Sequence, residues 1–508
     1  QIPIGYARAF YNAAVNWKYT AEPDPGVAGR AMYWPRGKVL GGSSSINAMV
    51  YIRGQREDYD AWAAAGLAGW AYDDLLPCFR KSERNSRGPD AFHGGSGELA
   101  VSDLGDECHP VMRHFFDAAQ ELGLPLNSDF NGAEQRGFGR YQFNIDNGRR
   151  ASASNAFLRP AMGRANLRVI THAHVTGLTF DGRRVTGLSY TRNGQVHQLT
   201  ARREVILAAS SINTPKILML SGIGPADHLA EHGITVVADR PGVGSNLQDH
   251  LEIYLQFASK KPITLYKYWN LLGKAWVGAQ WLFLGRGPGT SNQFEACAFI
   301  RSRAGIDYPD IQYHFLPIAV RYDGKAVADG HGFQVHVGPM RSKSRGSIRL
   351  RSADPKDDPQ IRFNYMSHPD DWAEFRACIR LTREIMAQPA MAEFVAHEIQ
   401  PGEQAQDDAS LDGFIREHVE SAYHPCGTAR MGRREDPMAV VDGQGRVIGV
   451  EALRVADSSI FPRITNGNLN APTIMAGEKI ADHILGRPPL PRSNQEPWIH
   501  PAWESAQR

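Results

Sequence analysis

Helical and strand periodicities alternate along this chain, separated by glycine-rich gaps. Tyr59, Trp62, Leu75, Leu76 and Phe79 recur near helical spacing and predict helix over 57–84, interrupted at Gly66 and Gly69. A helix is predicted from His109 to Leu122, ended by Gly123. Pro369 to Gln388 predicts another, capped by Ser367, with Trp372, Phe375, Ile379 and Ile385 inward. Pro472 to Leu485 predicts a helix with proline in its first turn, Ile474, Ile480 and Ile484 inward, and Gly486 as its stop. The apolar run Trp276–Leu284 is too short to cross a membrane. Two readings of it stand: a buried helix, which is favoured, or a helix lying against a membrane surface or a partner.

Period-two alternation marks residues 168–175, 175–180, 184–190 and 196–200 as short strands. Asp181-Gly182 and Asn193-Gly194 supply hairpin turns between them. Glu204–Ala209 is a continuous apolar run, as in a buried parallel strand, and Arg454–Ala456 is another. Phe333–Val337 and Ser347–Arg351 read as one-sided antiparallel strands. The first 30 residues read as loop and the last 20 as a tail.

At 508 residues the chain is long enough for two or three domains. A net charge of +2 argues against a dedicated nucleic-acid binder. Five scattered cysteines (Cys78, Cys108, Cys297, Cys378 and Cys426) fit a reducing compartment rather than a disulfide framework. No cysteine spacing suggests zinc, and no metal site is expected. His172 and His174 form an HxH pair on a predicted strand, which reads as strand decoration. The chain opens on Gln1, without Met or a signal-like segment, so residues are expected to be missing upstream.

The stretch Pro35–Asn47 changes the picture. Its glycines and serines, hemmed by Val39, Leu40, Ile46, Met49 and Val50, predict a loop that brings backbone N–H groups close to a polar cofactor. Gly41, Gly42, Ser43 and Asn47 are its candidate contacts. Farther on, His424 follows a predicted helix and is locked by Pro425 and Gly427, which suits a general base. Asn468 precedes the last helix; it can donate and accept, and so could hold an alcohol oxygen. On local grounds alone, His424 reads as structural and the asparagines as helix caps.

Taken in order, these stretches resemble the glucose–methanol–choline family of flavin-dependent alcohol oxidoreductases. Gly37–Asn47 resembles the family's first signature and Ser211–Gly224 its second. Pro241-Gly-Val-Gly-Ser-Asn-Leu-Gln-Asp-His250, the His424 stretch and the Asn468 stretch follow in the family's order. Residues 292–296, 311–317, 363–368 and 383–389 are similar to its choline-oxidising members. The resemblance implies an α/β fold: an FAD-binding domain (1–60, 152–252, 424–487) and a substrate domain built on an antiparallel sheet with flanking helices (61–151, 253–423), before a tail (488–508).

The same resemblance implies FAD, with His424 as base, Asn468 holding the oxygen, and hydride passing from a primary alcohol to flavin N5. Choline would become betaine aldehyde, and the aldehyde, oxidised onward, glycine betaine. Glu295 and Tyr423 are the expected contacts to the trimethylammonium group. Val175, by a backbone contact to adenine, Asp457 and Asn468 are further expected cofactor contacts. Where some members attach FAD through histidine, this chain has Ile46, so a non-covalent flavin is expected. Where choline oxidases carry a second histidine near the end of the 333–341 strand, it has Arg341, leaving His424 as the expected base. The family's opening strand and G-x-G-x-x-G turn are missing, a deficit of about 50 residues, and the chain as given is expected to bind FAD poorly. A quinone-linked acceptor and a cytoplasmic location, with peripheral contact to the inner membrane, complete the expectations. The alternatives are a dehydrogenase of aliphatic or polyether alcohols, a lyase of the same fold, or an inactive truncated member.

Overall fold

The computed structural model describes residues 2–104, 109–320, 330–496 and 498–507; Cys108 lies outside them. The 57–84 window resolves into two helices, Arg56–Ala64 and Tyr72–Ser82. The Gln55 N–H donates to Asp58 at 2.9 Å and starts the first. Tyr59 and Trp62 are buried, with edge-to-face rings 5.1 Å apart. A helix spans Pro110–Glu121, and Gly123 follows it with φ 73°.

The helix Pro369–Met386 is capped by His368, whose ring nitrogen accepts the Asp370 N–H at 3.2 Å. The expected cap, Ser367, is one residue too early and bonds Ser344 instead. The last long helix runs Asn470–Ile484.

Three strands form an antiparallel meander: His174–Asp181, Arg184–Arg192 and Gln195–Thr200. Asn193 and Gly194 both take positive φ, as a tight hairpin turn requires. Residues 168–173 do not join the meander. His172 sits at φ 55° outside the strand, while His174 begins it and bonds the Pro355 carbonyl at 2.9 Å. The expected HxH pairing on one strand face is therefore absent. The strand Val205–Leu207 pairs in parallel with Leu453–Val455.

The large sheet is antiparallel and seven-stranded. Its order is Val395–Gln400, Leu251–Ser259, Gly332–Pro339, Ile311–Leu316, Ala296–Ile300 and Gly137–Arg140, with Glu420–Ser421 added beside the second. Gly332–Pro339 is buried along its whole length, not on one side only as its pattern suggested. Register puts His314 opposite His336, and His336 opposite Tyr254. Alternation then brings Glu252, Tyr254, His314 and His336 to one face of the sheet.

The 276–284 run belongs to the helix Leu271–Leu284, and the favoured reading of it as buried is wrong. Of its residues only Val277 is fully buried, while Leu271, Leu272 and Phe283 are 84, 83 and 78% exposed. Hydropathy alone cannot say which side of a chain its neighbours cover. Among the described residues, no helix is long and apolar enough to cross a membrane.

Candidate active site

A cavity of about 1240 Å³ lies between the opening loop, the turn at Tyr423–Pro425, the start of the Asn470–Ile484 helix and the sheet face. Its walls include Gly41, Gly42, Ser43, Asn47, Tyr423, His424, Asp457 and Asn468. Residues separated by up to about 430 positions thus converge as expected.

His424 is held from several directions. Its backbone N–H donates to Asp249 Oδ1 at 2.8 Å. The other oxygen of Asp249 accepts from the Tyr365 and Ser421 hydroxyls at 2.7 and 2.6 Å. Burial raises the Asp249 pKa to about 6, opposed by these bonds. Beside it, Tyr423 takes a left-handed backbone, φ 64°, fixed by the Ser421 hydroxyl on its N–H and the Arg36 guanidinium on its carbonyl.

The protons on the two facing imidazoles can be assigned from their partners. His250 Nε2 lies 3.1 Å from the Met340 carbonyl, which can only accept, so Nε2 carries the proton. Burial depresses the His250 pKa to about 3, so the ring is neutral and its Nδ1 is an acceptor. His424 Nδ1, 3.1 Å away, therefore donates to it. That leaves His424 Nε2 unprotonated, accepting from the Asn468 Nδ2 amide at 3.0 Å. Gln312 donates to Asn468 Oδ1 at 3.2 Å and to the Tyr141 hydroxyl at 2.7 Å, which fixes the Asn468 amide with nitrogen toward His424. Burial, helped by His250 and His314, holds the His424 pKa well below its ordinary value.

Glu252 and Asp457 are the carboxylates that line this cavity, and Glu295 does not. Glu252 Oε1 accepts from the Tyr254 hydroxyl at 3.0 Å and faces His336 Nδ1 at 3.2 Å. Aromatic walls are close: Phe10 and Tyr423 meet at 5.8 Å, and Tyr6 and Phe294 at 5.8 Å. Glu295 pairs with Arg140 at 3.1 Å and does not line the cavity. Its neighbour Phe294 does, because successive residues of an extended chain point to opposite sides. Val175 is also off the cavity wall; it pairs with Tyr190 in the meander. Arg341 is bound to Asp58 at 3.0 Å, with its guanidinium 3.5 Å from the Tyr308 ring. The additional imidazoles that do reach the cavity are His314 and His336.

The residues present suit a flavin. A Cβ built on Gly42 meets no atom within 4 Å, so the loop turns an open backbone face outward. One built on Gly37 would overlap the Gly42 carbonyl, so the loop's close fold needs glycine there. Asn470 and Thr473 bring the N-terminal turn of a 15-residue helix to the wall, a favourable place for negative charge. The Asp457 carboxylate accepts from the Ser210 N–H, the Thr214 hydroxyl and the Ser459 N–H, and so braces the end of the Leu453–Val455 strand. The volume exceeds the ~300–1,000 Å³ of ordinary small-molecule sites, leaving room for a large prosthetic group and a small substrate. Elsewhere, His228, Glu231 and His232 cluster within metal-binding distance of one another. Both His228 nitrogens are already engaged, by Glu231 and by the Leu350 N–H.

A loop that presents bare backbone, a neutral imidazole poised on an amide and a helix N-terminus around one cavity define a flavin-dependent alcohol oxidoreductase site. The chain belongs to the GMC oxidoreductases: family profiles of that description match residues 20–252 and 342–477. It is 56% identical over 508 residues to a protein of Brucella anthropi named oxygen-dependent choline dehydrogenase, covering all of this chain and 92% of that one. A protein of the same name from Rhizobium meliloti is 55% identical over the same span. Among solved structures, pyridoxine 4-oxidase from Mesorbium loti superposes with a TM-score of 0.87 at 31% identity, covering 96% of this chain and 91% of that one. A formate oxidase superposes with a TM-score of 0.89 at 26% identity, covering 96% and 90%. GMC oxidoreductases bind FAD, and FAD is the cofactor of this fold.

Sequence reading missed Asp249, His250, Glu252 and Gln312 as site residues. The first three had a visible signal, since they follow the Asn-Leu-Gln stretch directly. Gln312 had none, because it sits mid-strand and acquires its role only through the partner it meets.

Proposed function

We propose that this enzyme oxidises choline to betaine aldehyde, and the hydrated aldehyde onward to glycine betaine. The observation that carries the reading is the unprotonated His424 Nε2, hydrogen-bonded to the Asn468 amide N–H, in a cavity that also holds Glu252. A substrate hydroxyl entering between them donates its proton to Nε2 and accepts from the amide. The neutral His424 imidazole is base-competent because burial opposes its protonation. As C–O–H becomes C=O, the alcohol carbon gives up a hydride, and FAD, when bound, supplies the acceptor. Glu252, with the Tyr423, Phe10, Tyr6 and Phe294 rings, is the site for the permanent cation, in place of Glu295. Gly41, Gly42, Ser43, Asn47 and Asp457 hold the flavin. It is held non-covalently, because Ile46 on the cavity wall has no nucleophile.

The relatives' names support choline as substrate. Anaerobic choline should bleach the flavin, and the neutral isostere 3,3-dimethylbutan-1-ol should do so at least about tenfold more slowly. Equal rates would refute the choline reading. Acid precipitation should release all the flavin into the supernatant; flavin retained in the pellet would refute non-covalent binding.

The electrons go to a quinone-linked acceptor, in the cytoplasm and in peripheral contact with the inner membrane. Among the described residues, Cys78, Cys297, Cys378 and Cys426 are buried free thiols, which suits that reducing compartment. Oxygen as acceptor is the second reading, favoured by the printed name of the relatives. Comparing oxygen uptake with reduction of a soluble quinone analogue, at equal choline, decides between them.

A further inference from the structure

The helix Leu271–Leu284 carries an exposed apolar surface that the active site does not explain. Among the described residues no large apolar side chain is more exposed than Leu271, Leu272 and Phe283. Leu272, Trp276, Ala279 and Phe283 fall at i, i+4, i+7 and i+11 and form one stripe, with Leu282 beside it. The opposite side is fixed to the body. Val277 is buried there, and the Trp281 indole N–H donates to the Gly148 carbonyl at 2.7 Å. The stripe is thus held outward by a well-anchored helix. A patch of this kind marks a binding surface.

Charge says what binds. From Ile253 to Phe294 the chain has no acidic residue and five basic ones: Lys260, Lys261, Lys267, Lys274 and Arg286. Lys267 and Lys274 lie over the Tyr268 and Trp269 rings, 5.0 and 4.3 Å from the centroids. Apolar side chains flanked by lysines and by tyrosine and tryptophan are the composition of a helix lying in a bilayer interface. The position is telling as well. Tyr268, Trp269, Lys274, Val277 and Gly278 also line the cavity, so the helix forms part of the wall around the active site.

We infer that the exposed face of Leu271–Leu284 docks on the surface of an anionic lipid bilayer and brings the cavity wall against the lipid. The inference deepens, and rests on, the reading of a peripheral membrane contact given above. It does not depend on which alcohol the site takes. Docking here would place the flavin site beside the phase in which a lipophilic acceptor dissolves.

The test is vesicle flotation of the flavin-loaded enzyme, with choline turnover by a soluble dye measured in parallel. The enzyme should float with phosphatidylglycerol-containing vesicles and stay behind with phosphatidylcholine alone. A Leu272→Glu/Phe283→Glu variant should lose about tenfold or more of its binding while keeping dye-coupled turnover. Neither residue lines the cavity. If that variant fails to fold, the wild type still decides: Trp276 fluorescence should be quenched by brominated lipid, and a Trp276→Phe variant should lose most of that quenching. No flotation, or equal flotation on neutral vesicles, overturns the proposal. So does a wild-type dimer that the double variant splits into monomers, which would make the face a contact between copies. Loss of turnover in the wild type would instead count against the choline reading and leave the flotation result intact.

Discussion

The protonation state that suits His424 to the proposed role of base is set by its neighbours rather than by its own chemistry. Met340 fixes the His250 proton, His250 takes the His424 Nδ1 proton, and Nε2 is left unprotonated. Replacing His424 with alanine should slow flavin reduction by choline about 10²–10⁴-fold in stopped-flow measurements. Because its pKa is depressed, the ring is already neutral at pH 6.5. The pH profile of kcat/KM should therefore lack a half-loss near 6.5, and an inflection there would contradict the assignment. Glu252→Gln should raise KM for choline about tenfold or more while leaving that for 3,3-dimethylbutan-1-ol nearly unchanged. At this scale proline, glycine and helix-start signals drew attention to His424 and Asn468, but their roles came only from the family resemblance. Sequence reading put Glu295 where Glu252 stands because the resemblance implies a carboxylate at that position. Only strand pairing decides which carboxylate faces inward.

At the scale of elements, the loop around Gly37–Ser45 was legible from its glycines and serines alone. Its fold depends on Gly37 lying against the Gly42 carbonyl, and a methyl group at Gly37 has nowhere to go. Gly37→Ala should lower the flavin bound per protein, read as the ratio of flavin to protein absorbance, with activity partly restored by excess FAD. Gly42→Ala meets no atom and should cost only about 1 kcal/mol for its positive φ. The helices and the meander were legible from periodicity and turn residues. The exposure of Leu271–Leu284 was not, since an apolar helix reads alike whether protein or lipid covers it.

For the whole molecule, stability should depend on pH in both directions. His250 and His314 are depressed to about 3 and about 4 by burial, and His424 is also well below 6.5. As pH falls below 6.5 the unfolded chain binds protons that the folded one refuses. Stability then drops by about 1.4 kcal/mol per pH unit for each such imidazole. His93 runs the other way. Despite its burial, Asp129 at 2.8 Å and Glu83 at 3.2 Å raise it to about 9, so its contribution is full below 6.5 and fades as pH rises through 9. The unfolding temperature, followed by calorimetry, should peak near pH 6.5, and His93→Gln should flatten the alkaline side. A monotonic rise from pH 5 to 9 would contradict the His93 assignment, and a monotonic fall over that range would contradict the assignment of the depressed imidazoles. By itself the sequence determined the family, the helices and turns, and the glycine-serine loop, because each is written in local residue order; it singled out His424 and Asn468 only through their place in the family's motif order. Tertiary structure alone decided that Asp249, His250 and Gln312 orient those two residues, that Glu252 rather than Glu295 lines the cavity, and that one apolar helix stays outside. Those facts depend on which strands pair, in which register, and on what packs against what, and none of these is a property of a short stretch of chain.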